Sequence, residues 1–171
     1  WCLNITDGCT GNQVLNNILI NQHPFRGSIV IAADALDGFV SDHNLVIGRL
    51  SPDGDATILD LSEWQALGFD THSQLADPQA SLFVAPGIDH HAVSDNAQQV
   101  DAGTDAVLSV VAEDLDGLTR PQGAAVDIGC YERDASTGIT SSNGQPGPLA
   151  LREGRVHIGI AALDHTLAYF D

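Results

Sequence analysis

The acidic segment at residues 113–117 has side chains of the kind that could hold a metal ion. In "EDLDG", Asp114 and Asp116 are spaced like the first two ligands of an EF-hand loop. The rest of that loop is missing, because Gly117 comes too early and Ala125 occupies the position of the bidentate glutamate. We therefore predict no EF-hand, but a looser Ca²⁺ site made by Asp114, Asp116 and a backbone carbonyl. The sequence indicates no other cofactor.

A structural role is the alternative for the same segment, which continues as "EDLDGLTRPQGAAVDIGCYE" to residue 132. Aspartate side chains accept backbone N–H bonds in turns, and an arginine can hold a loop by pairing with a carboxylate. In this interpretation Arg120 pairs with Asp116 or Asp127. The apolar run that follows forms a final buried strand through Ile128 and Cys130, with Cys130 as a small core residue.

The histidines do not follow a known metal-binding motif. No two have the i, i+4 spacing of a zincin helix, and no Cys–His finger spacing occurs. His90 and His91 are adjacent, so in a strand they point to opposite faces. We expect His72, in "DTHS", to be a hydrogen-bonding turn residue. The sequence also lacks the G-x-S-x-G motif of a serine hydrolase, and it leaves open whether this chain is an enzyme.

Two features near residue 1 bear on the cellular compartment in which the protein is located. Cys2 and Cys9 are close enough in sequence to close a small disulfide loop, which would imply an oxidising environment. Asn4 begins an N-glycosylation sequon, "NIT", which matters only in an organism that glycosylates. Both fit an extracellular or cell-surface protein, which is the location we predict.

The charge of the chain excludes some partners. Its formal net charge is −17, with six Arg and Lys together against 23 Asp and Glu. Such a surface repels phosphate backbones and anionic lipid, so we predict no nucleic-acid binding. No apolar run approaches the ~20 residues of a membrane span, so we also predict no membrane insertion.

Short apolar runs punctuated by Gly, Asn, Asp and Pro predict many short strands and an all-β fold. Among sandwich, barrel and solenoid, the uneven loops favour a solenoid. In "NQVLNNILIN" the repeated Asn can stack on equivalent residues of the next coil, although ordinary turn residues are the alternative. The best helix signal is "LSEWQALG", with Ser62 as the cap and Gly68 at the end.

The sequence divides into three parts. Residues 1–133 carry the apolar runs and the closing segment. Residues 134–148, "DASTGITSSNGQPGP", are small and polar and read as a linker. Residues 149–171 are apolar again and predict a short β-strand tail.

The order of motifs through residue 132 resembles the C-terminal coils of bacterial right-handed parallel β-helix proteins of the pectate-lyase-like superfamily. The segments that carry the resemblance are "WCLNITDGCTGNQVLNNILIN", "VSDHNLVIG", "LSEWQALGFDTHSQLADPQASLF", "VDAG" and "DLDGLTRPQGAAVDIGCYE". The resemblance implies a right-handed parallel β-helix, a solenoid whose C-terminal portion is present here, with further coils before Trp1. The sequence departs from the family at residues 97–100 and at Cys130.

Two functions follow from the resemblance. The first is an extracellular module with a structural, adhesive or carbohydrate-binding role, non-catalytic in this portion. The second is part of a polysaccharide lyase or glycoside hydrolase whose groove is completed by upstream coils. The partners we predict are a polysaccharide or neighbouring protein subunits, the latter reached by β-addition of the tail.

Overall fold

A computed structural model describes residues 1–133, 149–152 and 155–158 of the chain. The chain separates into two compact units, Trp1–Arg133 and Asp134–Asp171. The predicted linker at 134–148 and the final part of the predicted tail, 159–171, lie outside the described residues. In the second unit, two strands pair as an antiparallel hairpin.

Strands are the main regular structure of the described residues, as predicted, with two short α-helices and two 3₁₀ turns, Ala33–Ala35 and Asp105–Val107. The strands are, in chain order, β1 (Leu3–Ile5), β2 (Gln13–Leu15), β3 (Ile18–Leu19), β4 (Ile29–Ile31), β5 (Val40–Asp42), β6 (Leu45–Val46), β7 (Leu50–Ser51), β8 (Gln74–Leu75), β9 (Phe83–Ala85), β10 (Asp89–Ala92), β11 (Leu149–Arg152) and β12 (Arg155–Ile158). The helices are α1 (Leu61–Ala66) and α2 (Gln79–Leu82).

Three small parallel sheets form residues 1–76, which we call the stacked region. Their strand orders are β1-β4-β7, β2-β5 and β3-β6-β8. The chain visits the three sheets in the same order in a first pass (β1 to β3) and a second pass (β4 to β6). In the third pass α1 lies between β7 and β8, where a strand of the second sheet would otherwise stand.

Aliphatic side chains at matching positions build the core of the stacked region. Leu3 pairs with Ile29 and Ile29 with Leu50, so these residues lie above one another in successive passes. Ile29, Leu45 and Leu50 are fully buried. Short β-branched and leucine-rich runs suit this arrangement, because each strand buries its inward side chains against the pass on either side.

A row of polar side chains also runs through the stacked region. Asn17, Asn44 and Ser73 each precede a strand of the third sheet, and these strands pair in register. The Asn44 Oδ1 accepts from the backbone N–H of Asn17 at 2.8 Å, and the Asn44 N–H donates to the Ser73 Oγ at 2.7 Å. The prediction that an Asn of "NQVLNNILIN" stacks on its counterpart in the next pass is confirmed for Asn17.

The α1 helix has a different cap from the one predicted. Asp60, not Ser62, is the N-cap, and its side chain accepts from the Glu63 N–H while the Glu63 side chain accepts from the Asp60 N–H. Both Asp and Ser can cap, and here Asp60 has the extended backbone that a cap needs. Gly68 follows the helix with φ +93°, a conformation that glycine adopts freely.

Residues 77–133, which we call the closing region, have little regular pairing. Their one described sheet is the β9–β10 hairpin. Residues 98–104, which we call the strap, cross the three passes in reverse order. Gln98 donates to the Leu75 carbonyl, the Ala102 carbonyl faces the His43 ring, and Thr104 exchanges two hydrogen bonds with Asn16.

Buried charges hold the end of the closing region. Arg120 donates from Nη1 to the Glu132 carboxylate at 3.0 Å, and both side chains are almost wholly buried. The predicted pairing of the Arg120 side chain with the carboxylate of Asp116 or Asp127 is therefore wrong. Besides Glu132, Arg120 donates to the backbone carbonyls of Asp127 and Gly129, and not to the Asp127 carboxylate. The Asp127 carboxylate accepts instead from backbone N–H groups, and burial raises its pKa above the usual range.

The predicted final strand is not formed. Residues 124–131 make bends, in which Ile128 is buried and bonds through its N–H to the Gln99 carbonyl. Cys130 is exposed, so its predicted place in the core is wrong. Val126, Asp127 and Ile128 are all buried, and Gly129, at φ +114°, turns the backbone between Ile128 and the exposed Cys130.

Candidate functional site

The corner between the second and third sheets brings polar residues of successive passes together. Because Leu15 pairs with Asp42 and Leu45 with Gln74, the residues Asn16, His43 and His72 occupy matching positions. Asn16 and His43 both have positive φ, at 57° and 53°. Asn and His tolerate this left-handed conformation better than most residues, which makes them suitable for a tight corner.

Asp42, His43 and His72 form a compact cluster at this corner. The Asp42 Oδ2 lies 2.6 Å from the His72 Nδ1 and 4.0 Å from the His43 Nε2. One possible ligand atom from each residue lies within 4.8 Å of the other two. The imidazole rings stack nearly parallel, with centroids 4.9 Å apart.

Each member of the cluster is held by the surrounding backbone. The Asp42 Oδ1 accepts from the N–H groups of His43 and His72, at 3.0 and 2.7 Å. The His43 Nδ1 lies 3.3 Å from the Ala102 carbonyl of the strap. Partial burial acts to raise the pKa of Asp42. The hydrogen bonds that it accepts from the His72 ring and from the backbone N–H groups of His72 and His43 lower the pKa, and together they outweigh burial. The pKa of Asp42 is therefore lowered, and the carboxylate is ionised at neutral pH.

The donor atoms of this cluster suit two kinds of chemistry. Two imidazoles and one carboxylate are ligands that zinc and neighbouring transition metals accept, usually with water in the remaining positions. Alternatively, an imidazole held on one nitrogen by a carboxylate is the usual arrangement for a general base. His72 is two-thirds exposed, so either a metal or a substrate can reach it.

Asp114 and Asp116, the predicted Ca²⁺ pair, have separate partners. The Asp114 carboxylate accepts from the N–H groups of Asp116, Leu118 and Glu132, each at 2.8 or 2.9 Å. The structural alternative, in which backbone N–H groups bind an aspartate in the turn, is thus confirmed for Asp114. The Asp116 Oδ2 lies 2.9 Å from the His91 Nε2. Calcium binding by the pair stays a prediction.

His91 lies between two carboxylates. Its Nδ1 is 2.6 Å from the Asp89 Oδ1, its Nε2 faces Asp116, and its ring stacks on Tyr131 with centroids 3.9 Å apart. The hydrogen bond that His91 donates to Asp116 is the main cause that raises the pKa of His91. The bond to Asp89 adds to it, and partial burial opposes both. These contacts join the β9–β10 hairpin to the final loop of the closing region.

A cleft of about 590 Å³, lined by Tyr131 and by His90, lies between the first pass and the closing region. Its walls combine apolar side chains with amides, an aromatic ring and a guanidinium. Representative lining residues are Ile18, Phe83, Leu115, Ile128, Asn17, Gln79, Gln99, Arg120 and Tyr131. The buried Gln99 Oε1 and Arg120 Nε have no hydrogen-bond partner among the described residues. Clefts of this size, mostly apolar with a few polar groups, commonly bind small molecules or sugar units.

The features near residue 1 lie on or near the surface. Asn4 is exposed, which leaves the sequon accessible, and glycosylation there stays a prediction. All three cysteines are free thiols in the structure, with Cys2 half-buried and Cys9 exposed. The Cys2–Cys9 disulfide and the oxidising compartment also stay predictions.

Sequence reasoning did not identify the Asp42–His43–His72 cluster. Asp42 and His72 are 30 residues apart, so no local motif joins them. The available signal was the recurrence of "LNN", "DHN" and "THS", each just before the two residues that enter the third sheet, an apolar pair in the first two cases and Gln74–Leu75 in the third.

Comparisons with protein-family models, curated proteins and solved structures find no match to this chain. Among the described residues, no helix is both long and apolar enough to cross a membrane.

Proposed function

We propose that residues 1–133 are a section of a right-handed parallel β-helix of the pectate-lyase-like kind, in which the three passes are successive coils. The support is that parallel strands in each sheet come from successive passes, with α1 inserted in the third. A chain that returns to a parallel strand of the same sheet crosses in the right-handed sense in about 98% of known cases. The proposed handedness rests on that rule.

For function, we propose an extracellular carbohydrate-binding module that is non-catalytic in this portion. The observation that carries this proposal is the cleft beside the first pass. It offers the Tyr131 ring as an apolar platform and the Asn17, Gln79 and Gln99 amides as hydrogen-bonding groups. A sugar ring presents both an apolar face and hydroxyl groups, so this combination suits it.

The charges around the cleft favour a neutral polysaccharide over a polyuronate. Arg120, the guanidinium that lines the cleft, is already paired with Glu132, while Glu113 and Asp114 also line it. A uronate carboxylate would therefore meet negative groups and a guanidinium whose charge is already balanced. The formal net charge of −17 acts in the same direction at longer range.

Affinity electrophoresis tests this proposal. The wild-type chain should be retarded in gels that contain a soluble β-glucan, mannan or xylan, and much less in polygalacturonate. Tyr131→Ala should weaken retardation about tenfold, equivalent to ~1.4 kcal/mol. Phe25→Ala is the matched control, because Phe25 is an aromatic residue that is 69% exposed and does not line the cleft. If no neutral polysaccharide retards the wild-type chain, a structural or adhesive role replaces the carbohydrate-binding one.

One observation favours a second candidate, a polysaccharide lyase or glycoside hydrolase. The Asp42 Oδ2 lies 2.6 Å from the His72 Nδ1, as expected for a base that removes a proton from a sugar. This candidate predicts that the chain releases unsaturated or reducing ends when it is assayed against a panel of polysaccharides, with and without Ca²⁺. The rate of this cleavage should fall about 100-fold or more in His72→Phe. Binding without turnover in that panel would support the non-catalytic module instead.

A further inference from the structure

We propose that Asp42, His43 and His72 bind a divalent transition-metal ion, with Zn²⁺ as the best fit, and that the ion links the second pass to the third. Asp42 ends β5 and His43 follows it in the second pass, and His72 precedes β8 in the third. A metal bound by all three would therefore cross-link neighbouring passes at the corner between two sheets.

The donor atoms are already close to the spacing that zinc requires. Zinc binds nitrogen and carboxylate oxygen at roughly 2.0–2.2 Å, which places tetrahedral ligand atoms about 3.3 Å apart. The distances from the Asp42 Oδ2 to the His72 Nδ1 and to the His43 Nε2, 2.6 and 4.0 Å, lie on either side of this value. Small rotations of the exposed His72 ring and of the His43 ring would equalise the two distances.

The groups that hydrogen-bond to the ligand side chains are arranged as they are in metal sites. The His43 Nδ1 faces the Ala102 carbonyl at 3.3 Å, so Nδ1 carries the proton and the Nε2 lone pair is directed at the cluster. The Asp42 Oδ1 is fixed by two backbone N–H groups, which leaves Oδ2 for the metal. Such outer hydrogen bonds orient ligands and raise their affinity for the ion.

The kinds of ligand select the ion. Calcium prefers six to eight oxygen ligands, and this cluster offers two imidazole nitrogens and one carboxylate. Zn²⁺, Co²⁺, Ni²⁺ and Cu²⁺ accept imidazole readily. Because an ionised carboxylate only accepts hydrogen bonds, the 2.6 Å contact with the Asp42 Oδ2 requires a proton on the His72 Nδ1 in the metal-free chain. Binding moves that proton from Nδ1, and a neutral imidazole can carry it on the other nitrogen.

Titration of the full chain with Zn²⁺ by calorimetry, and with Co²⁺ by visible absorption, tests the proposal. We expect one tight equivalent of each metal, with a Co²⁺ spectrum of low coordination number. Three conservative variants remove one ligand each. They are Asp42→Asn, which keeps an acceptor for the two N–H groups, His72→Phe, which keeps a stacking ring, and His43→Asn, which copies Asn16 from the first pass. Each should lose at least ~100-fold in affinity.

His23→Ala is the matched control, because His23 is an exposed histidine just before the bend at Pro24 and Phe25 and is not a member of the cluster. A double variant, His157→Ala with His165→Ala, controls for the histidines of the C-terminal segment. Both should bind as the wild-type chain does. Zn²⁺ should also raise the unfolding free energy of the wild-type chain, by ~2.7 kcal/mol at a hundredfold excess over Kd, and should leave the ligand variants unchanged.

Two results would overturn the proposal. One is the absence of binding by the wild-type chain at millimolar Zn²⁺. The other is unchanged affinity in all three ligand variants, which would place any bound metal elsewhere. Tyr131→Ala should retain Zn²⁺ binding, so failure of the carbohydrate proposal and failure of the metal proposal are distinguishable.

Discussion

The stacked region and the closing region satisfy their buried polar groups in different ways. In the stacked region, strands of successive passes bond to one another, and side-chain amides such as Asn44 fill the corners. In the closing region, carboxylates satisfy them: Asp114, Asp127 and Glu132 together accept backbone N–H bonds from seven different residues.

The difference follows from what each segment can pair with. A strand placed between two like strands has partners for its N–H and C=O groups at every step, so its side chains need only be apolar. The loops of residues 113–133 have no neighbouring strand, and an ionised carboxylate can accept several N–H bonds at once. Regular pairing and buried charge are thus alternative solutions to one requirement. The three predictions below test how much each contributes.

The largest effect is expected in the closing region, from Arg120→Met. This change leaves the Glu132 carboxylate buried without its cation, and Glu132 is 3% exposed. We expect the free energy of unfolding to fall by ~3–5 kcal/mol, measured by urea denaturation. The double variant Arg120→Met with Glu132→Gln removes both charges and should recover part of the loss. A loss below ~1 kcal/mol in the single variant would mean that buried charge is not what holds this region.

A smaller effect is expected in the stacked region, from Asn44→Ala. Asn44 is fully buried, and its amide bonds to the Val14 carbonyl, to Asp70 and to the Asn17 N–H. Its loss leaves those groups without partners and should cost ~3 kcal/mol. Asn17→Ala is the matched comparison at the half-buried end of the same row and should cost ~1 kcal/mol. Equal losses of unfolding free energy at the two positions would show that the burial of the amide does not determine its contribution.

The smallest effect is expected at the His91 contact, and it depends on pH. The pKa of His91 is raised from 6.5 by Asp116 and Asp89, so the protonated ring favours the folded chain. This contribution is fully present below the unfolded pKa and is lost as pH rises through the folded pKa. Tyr131, which stacks on the ring, is neutral across that range, and burial raises its pKa further.

The measurement for this contact is the difference in unfolding free energy between wild type and His91→Gln, followed from about pH 6 to about pH 9. The difference should shrink by a few tenths of a kcal/mol, as is typical of exposed ion pairs. A difference that grows with pH would show that the neutral imidazole, rather than the imidazolium, is the form that the fold prefers.

The parts of the fold that depend on local sequence could be predicted. The short apolar runs indicated strands, and "LSEWQALG" located a helix within a residue or two. The repeated Asn of "NQVLNNILIN" indicated that one of them would stack on its counterpart in the next pass, as Asn17 does on Asn44. The cap was misassigned because Asp60 and Ser62 are both good capping residues, and only the backbone path decides between them.

The parts that depend on which segments meet in space could not be predicted. Arg120 has several carboxylates within a few residues, and its true partner, Glu132, is selected by how the loop folds back. The Asp42–His43–His72 cluster requires the register between the second and third passes. The spacing from Asn17 to Asn44 is 27 residues and that from Asn44 to Ser73 is 29, so no exact repeat aligns "LNN", "DHN" and "THS" in the sequence.

The strap changes how the chain should unfold. In an array whose repeats touch only their neighbours, stability is a sum of nearest-neighbour terms and the end repeats fray first. Here residues 98–104 run back across the third, second and first passes, so the first pass is bonded to Thr104 as well as to the second pass. Opening of the first pass therefore requires release of residues far along the chain. We expect the passes and the closing region to melt as one cooperative unit, in which amide protons of β1 exchange only through global unfolding.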